Sequence, residues 1–499
     1  MTSAGGARSR WLLAVFALGA VAGLGLRIYA HTSSLGTLDG DEAVWGLMAR
    51  HVLDGEVSAF FWGQGYGGTQ EVLVTAPLVG ILGTSTEVIR LVPVALTGVA
   101  SFLVWRIGRR TVGEPAAQIA AVLFWIWPAY LVWKSTRAHG FYGSGLVLVC
   151  LVLLLVVRLV ERRSRLDAAL LGVVLGLGWW QTPQIVPVAL PTLAWLAWRR
   201  PVVLRDTWLV ALPAVLAALP WLVSNLAHDG WSFDVSSGET PYPTRLRGFF
   251  SATLPMALGV RIPFTSEWPL GPALSGLLYV GLGVVFAIAW WRGRTTPRGL
   301  LFVVVAAFPF LYALSPSTWI VDEPRYVVVL LPVLALLVAQ ALGGVRRAAI
   351  AIGVAVVLST LTLTHLATAP AFVERADGLF VPKDFDPLVS ALESRGLDHV
   401  FASYWIAYRL DFETRERITA AEATFSTLEV DGDRVLPRTP VGPDENRHPA
   451  YDAAVRAHPD PGYVLLRDAP EEKAVRGLLE RAGYVRTVVD GFAIYRVSR

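Results

Sequence analysis

Cysteine is almost absent: Cys150 stands alone among 499 residues. A single cysteine excludes a disulfide framework and any cysteine-based metal centre. Charge is scarce too. Asp, Glu, Lys and Arg make up 16% of the chain, against about 25% in ordinary soluble domains. Hydrophobic residues make up 54%, and the mean hydropathy is +0.52. A soluble chain could not hide that much apolar surface, so water-soluble, disordered and fibrous classes are excluded. Lysine is confined to Lys134, Lys383 and Lys473, so the net charge of +4 rests on arginine. Several chemical signatures are missing as well. There is no Walker phosphate loop, no HExxH pair and no GxSxG elbow. ATP-driven pumping, a recognisable zinc protease and a hydrolase of the nucleophile-elbow type are thereby excluded. The eight His are scattered, with no pair at metal-ligand spacing on one helix.

What the chain has is long apolar runs. A helix needs about 20 apolar residues to cross the hydrocarbon core. Spans are predicted near 11–30, 87–107, 116–133, 141–158, 166–182, 184–198, 207–226, 272–291, 300–315, 326–343 and 348–366, about eleven in all. Several contain Pro, which neighbouring helices can accommodate in a membrane. The 19 Trp, 31 Pro and 45 Gly suit such a protein. The first run is longer than a secretory signal core and precedes another membrane domain, so it is read as an uncleaved span. Arginine clusters at 8/10, 106/109/110, 158/162/163/165, 199/200/205, 292/294/298 and 346/347 fall in every second loop. The positive-inside rule makes those loops, and the N-terminus, cytoplasmic. The loops 31–86, 134–140, 227–271 and 316–325 are then external, as is everything after about 367.

Near residue 370 the apolar runs stop. Strand-like pieces at His399–Ser403, Gly462–Leu466 and Phe492–Val497 alternate with helical pieces at Pro387–Arg395, Pro449–His458 and Glu471–Ala482. The expected architecture is a multi-pass α-helical membrane domain over 1–369, followed by a small external α/β domain over 370–499. No internal repeat is evident, unlike transporters built from inverted repeats.

Polar groups in so apolar a chain mark the chemistry. After the first span, Asp39-Gly40-Asp41-Glu42 opens an amphipathic helical segment. Carboxylates in a first turn suit the helix dipole, so this is either a capped interfacial helix or a general base held at the membrane surface. Next come Gln64, Tyr66 and Glu71 around the glycine-rich stretch Gly63–Gly68, then a short apolar stretch over Val72–Leu82 that reads as a second interfacial helix. Ser85 and Glu87 would cap the following span. Basic groups on the external side oppose the charge rule: Lys134, Arg137 and His139, then Arg245, Arg247 and Arg261, then Arg325-Tyr326. Arginine grips phosphate bidentately; the alternative is an ion pair, for Arg325 with Asp322 or Glu323. Trp62, Trp179, Trp180, Trp231 and Trp268 suit either sugar stacking or interfacial anchoring.

The order of one span, an acidic external helix, a second short helix, many spans and an external tail resembles the GT-C superfamily of polyprenyl-phosphate-sugar glycosyltransferases. It is similar to bacterial relatives of protein O-mannosyltransferases and of the lipid A aminoarabinose transferase. The matching stretches are Asp41-Glu42-Ala43 with Gly46 and Ala49-Arg50; Gly63–Gly68; Arg90–Pro93; Gly178-Trp179-Trp180; Pro220-Trp221 with Asn225; and Arg325-Tyr326 before an apolar run with Pro332. The tail stretch Tyr404–Leu410 is similar to one in uncharacterised bacterial members.

The resemblance implies an inverting transfer of a hexosyl or pentosyl group. The donor would be a sugar on a polyprenyl phosphate in the bilayer. The acceptor would be an extracytoplasmic glycan, lipid or protein of the cell envelope, with no nucleic acid partner. Asp41 matches the catalytic acidic position, with Glu42 beside it and Asp39 as a rival. Arg325 matches the arginine that holds the lipid phosphate, with Tyr326 next to it. Lys134 and Arg137 are placed to help. Asp39, Gln64, Tyr66, Glu71, His139 and Trp180 are candidates for substrate contact. Some relatives hold a divalent cation at the acidic loop; the residues here neither require nor forbid one. A lipid-linked-sugar flippase and a non-catalytic envelope assembly protein are the other classes that many spans and basic residues would allow.

Overall fold

The computed structural model describes residues 3–233, 240–293, 299–315, 318, 323–342, 345–368, 375–376, 379–425, 428–431, 434–440 and 446–498. Asp322, one proposed partner of Arg325, and the arginines 294 and 298 lie outside the described residues.

All eleven apolar segments are helical. Among the described residues, six helices are long and apolar enough to cross a membrane: Ala14–Thr32, Thr86–Thr111, Tyr142–Glu161, Gly271–Trp291, Arg325–Leu342 and Arg346–Thr368. Trp208–Ala217 and Leu219–Ala227 form a seventh if taken together, bent by 55°. The segment expected over 116–133 is two helices, Glu114–Ile126 and Ala129–Lys134, because Pro128 has no N–H to continue the first. Helices pack closely where small residues recur. A Cβ on Gly172 or Gly176 would lie 2.2 or 2.1 Å from the carbonyl oxygens of Val210 and Ala214. The helices Arg165–Gln181 and Trp208–Ala217 thus meet backbone to backbone, as small-residue stripes permit in membranes.

The tail folds around one five-stranded sheet: β1 (His399–Ala402), β2 (Thr419–Glu422), β3 (Gly462–Leu466), β4 (Tyr484–Val489) and β5 (Phe492–Val497), in the order β2-β1-β3-β5-β4. β1 is parallel to β2 and β3, whereas β5 runs antiparallel to β3 and β4. All three predicted strands are present. So are the predicted helices, at Asp386–Glu393, Pro449–Ala457 and Pro470–Arg481. The helix Tyr404–Thr414, which the alternation of strands and helices did not suggest, connects β1 to β2. It lies against the helix Gly40–Leu53, where Tyr408, Phe412 and Tyr451 share one apolar cluster with Trp45, Leu47 and Met48. The segment read as an amphipathic surface helix is therefore buried from Glu42 to Ala49. The tail domain covers the face that water would otherwise meet.

Candidate active site

The acidic loop is built by a cap. Asp39 is extended (φ −106°, ψ 171°), and its carboxylate accepts the Glu42 N–H at 2.9 Å, satisfying a first-turn donor. The three neighbouring carboxylates then diverge. Glu42 is fully buried. Arg90 Nε donates to its Oε1 at 2.8 Å, and Arg90 Nη2 donates to Oε2. Arg137 lies 2.9 Å from Oε2, and the Ala138 N–H donates to Oε1 at 2.8 Å. Burial raises its carboxyl, but Arg137 and Arg90 outweigh burial and hold it below the usual glutamate range. Asp39 receives Arg137 and, at 2.6 Å, His139 Nε2; against the cost of burial these two hold its carboxyl well below the ordinary value. Asp41 is different. It is half-buried, and one oxygen accepts the hydroxyl of Tyr404 from the tail domain. No other hydrogen bond to its side chain occurs among the described residues.

The basic candidates converge on the same region. Arg137 donates to the carbonyls of Leu35, at 2.8 Å, and Thr37, so it ties the end of the first span to the acidic loop. Lys134 Nζ lies 2.9 Å from His139 Nδ1 and 3.4 Å from Glu323. Lysine only donates, so His139 Nδ1 accepts and Nε2 carries the proton that Asp39 receives. Glu323 is buried and also accepts from Tyr130 and from Arg325, whose Nε lies at 2.6 Å. Burial raises its carboxyl, but Lys134 and Arg325 bring it down to about 2. A continuous polar chain thus runs Asp39–His139–Lys134–Glu323–Arg325. Arg325 takes the ion pair with Glu323 yet keeps 35% of its side chain accessible.

Tyr66 stands on the loop between Phe60 and Gly68. Burial raises its phenol; Arg447 and Arg325 oppose that and Asp41 adds to it. Its surface is 45% exposed. Tyr326 follows Arg325 in a short 3-10 turn, Arg325–Leu330. Gln64 is half-buried in the loop whose ends pair at Phe60 and Gly68. Trp180 braces that loop, donating from its indole to Ala59 O at 2.7 Å. Gln181 adds bonds to Gly68 O at 2.8 Å and Gly140 O at 2.9 Å. Glu71 is not a rim residue: it is buried at the start of the helix Gln70–Leu82 and accepts both Ser144 N–H and Oγ–H at 2.7 Å. Burial pushes it up to about 7, against those bonds. It lines a cavity of about 10 Å³ with Lys134, Arg137 and Tyr142, about the room of one water.

Asp39, Glu42 and His139 bring ligand atoms within 4.8 Å of one another. They do not fit a resident divalent ion. The Arg137 guanidinium occupies the gap between the two carboxylates, and both Glu42 oxygens already accept from donors. The acidic loop is neutralised by arginine.

Sequence reasoning named Glu323 as an ion-pair partner of Arg325, the contact found here, but gave Arg90, Tyr404 and Arg447 no role at the site. Arg90 could have been found, since an arginine inside an apolar run demands a buried partner. Tyr404 and Arg447 carry no such local signal, because their place depends on how the tail docks.

Comparison with known proteins fits this geometry. Residues 74–226 match the family described as dolichyl-phosphate-mannose-protein mannosyltransferase. No curated protein matches the chain. Among solved structures, ArnT from Cupriavidus metallidurans bound to undecaprenyl phosphate aligns with a TM-score of 0.63 at 13% identity, covering 98% of each chain. Its apo state gives 0.64 at the same identity and coverage. The archaeal oligosaccharyltransferase AglB from Archaeoglobus fulgidus, in complex with an inhibitory peptide and a dolichol-phosphate, gives 0.51 at 14% identity, covering 99% of this chain and 75% of AglB. The GT-C resemblance drawn from the sequence is borne out, and the fold is ArnT-like from end to end.

Proposed function

We propose that the chain is an inverting membrane glycosyltransferase that moves a sugar from a polyprenyl-phosphate donor to an acceptor hydroxyl outside the cytoplasm. One observation carries the reading. The acidic loop, whose Asp41 keeps an oxygen open, is joined to an accessible arginine, Arg325, by the polar chain Asp39–His139–Lys134–Glu323 within an ArnT-like fold. The bound undecaprenyl phosphate of ArnT and the dolichol-phosphate of AglB support the donor class.

The chemistry follows from the two ends. Asp41 takes the proton of the acceptor hydroxyl as its oxygen attacks the anomeric carbon. The bond from that carbon to the phosphate oxygen breaks on the opposite face, and the electron pair leaves with the phosphate. Arg325 and Lys134 meet the charge that develops there. Glu323 fixes Arg325 by a charge-assisted bond, so the guanidinium is oriented before the donor arrives. His139 and Arg137 hold Asp39, and through it the first turn that presents Asp41.

Arg325→Ala should weaken undecaprenyl-phosphate binding by tenfold or more, since a charge-assisted contact is worth roughly 1.5–3 kcal/mol. Arg325→Lys should restore part of it, because lysine lacks the planar fork. Tryptophan quenching on titration with undecaprenyl phosphate reads this directly; unchanged affinity in the Ala variant would leave Arg325 a partner of Glu323 only. The enzyme class itself is tested by supplying a panel of radiolabelled polyprenyl-phosphate sugars to the purified chain. Transfer to an envelope acceptor supports the proposal. Movement of the intact lipid between leaflets without transfer would make the chain a flippase.

The parity of the arginine-rich loops supports a plasma or inner membrane orientation with the N-terminus in the cytoplasm and the tail domain outside. A reporter that fluoresces only in the cytoplasm, fused after Arg499, should stay dark. A bright fusion would place Asp41 on the wrong side for an extracytoplasmic acceptor.

A further inference from the structure

We propose that the C-terminal domain is a working part of the transfer site, and that Tyr404 is the positioning residue that aims the Asp41 carboxylate. The inference rests on the reading of Asp41 as the base. Of the three carboxylates on the acidic loop, Asp39 and Glu42 are held by arginines and by backbone N–H groups of the membrane domain. Asp41 is held by the tail, through the Tyr404 hydroxyl on its Oδ1. A phenol donating to one oxygen restrains the carboxylate's rotation and leaves the second oxygen for an acceptor hydroxyl.

The docking that permits this contact is written into the glycines of the acidic helix. A Cβ on Gly40 would lie 2.7 Å from the Tyr404 ring, and one on Gly46 would lie 2.1 Å from the Phe412 ring. Both glycines therefore give the helix Tyr404–Thr414 room to lie against Gly40–Leu53. The phenol is itself fixed. Its ring meets Trp405 at 4.8 Å and Tyr408 at 5.3 Å, edge to face. The Arg447 guanidinium lies 5.5 Å from the Tyr404 ring and 5.6 Å from that of Phe61. Arg447 also donates to Trp62 O at 3.3 Å, and its backbone N–H donates to Tyr408 Oη at 2.8 Å. One residue of the tail thus clamps the Phe60–Gly68 loop, which bears Tyr66, to the helix that bears Tyr404. Burial and the Asp41 charge together keep the Tyr404 phenol well above its ordinary range, so it stays a donor throughout the pH range in which the chain would work. The tail stretch Tyr404–Leu410, singled out in the sequence without a role, acquires one: its first residue reaches the base, while Tyr408 braces it.

The test uses the full-length purified chain and the undecaprenyl-phosphate sugar it uses fastest, chosen from a panel of hexosyl and pentosyl donors. Tyr404→Phe keeps the ring against Gly40 and removes only the hydroxyl. Its kcat should fall by about tenfold or more, with the donor KM within about twofold of wild type and the melting temperature unchanged. In an Asp41→Asn background the same change should add nothing further, since the two residues act as one unit. A full rate in Tyr404→Phe, alongside an inactive Asp41→Asn, overturns this inference and leaves the base in place. A loss of rate matched by a loss of melting temperature also overturns it, in favour of packing alone. An active Asp41→Asn, or no turnover with any donor, sinks the reading of the site on which the inference stands.

Discussion

Asp41→Asn should lower sugar transfer by about 10²–10⁴-fold, the range a general base contributes, while undecaprenyl-phosphate binding and folding stay near wild type. Asparagine keeps the size of the side chain and can still accept the Tyr404 hydroxyl through its carbonyl oxygen. It cannot take a proton from an acceptor. The neighbours supply the contrast. Glu42→Gln disturbs a carboxylate already surrounded by Arg90, Arg137 and the Ala138 N–H, so its loss of rate should track a loss of stability. Asp39→Asn should loosen the helix cap and the His139 contact together. Full activity in Asp41→Asn, with Asp39→Asn or Glu71→Gln inactive, would reassign the base. Activity in all of them would remove the proposed mechanism.

Arg90→Met should be the most damaging substitution for stability. Arg90 is 4% exposed and faces Glu42, which is fully buried. Removing one partner of a buried ion pair costs about 3–5 kcal/mol, because the remaining charge is left uncompensated in a low-dielectric setting. The penalty here belongs at the upper end only if Arg137 cannot take over the load, and it already serves Asp39 and the Leu35 and Thr37 carbonyls. Thermal melting in detergent should show a clear drop for Arg90→Met and a partial recovery on adding Glu42→Gln, which removes the stranded charge. Equal melting of the single and double variants would show that the pair is not what anchors the acidic helix to the second span. Glu42 is held below the usual range, so the pair's contribution is present above the ordinary glutamate value. It fades as pH falls through the depressed one.

Composition and hydropathy pattern are enough to set the broad architecture. Apolar runs locate the long helices of the membrane domain, because the hydrocarbon core admits little else, but not short ones such as Tyr242–Gly248. Alternating pattern and turn residues located three of the five strands in the tail sheet. The Asp39-Gly40-Asp41-Glu42 start was readable because capping is local chemistry. Side-chain roles within that start were not, since three adjacent carboxylates look alike in sequence. Long-range contacts separate them: Arg90 and Arg137 come from 48 and 95 residues beyond Glu42 and turn Glu42 into an anchor. Tyr404, 363 residues from Asp41, singles out Asp41 as the carboxylate with an oxygen left open. Burial decided the rest. It made Glu71 a buried group rather than a rim residue and the acidic helix a covered one. Pairing across long stretches of chain depends on which faces dock, and no local pattern records that.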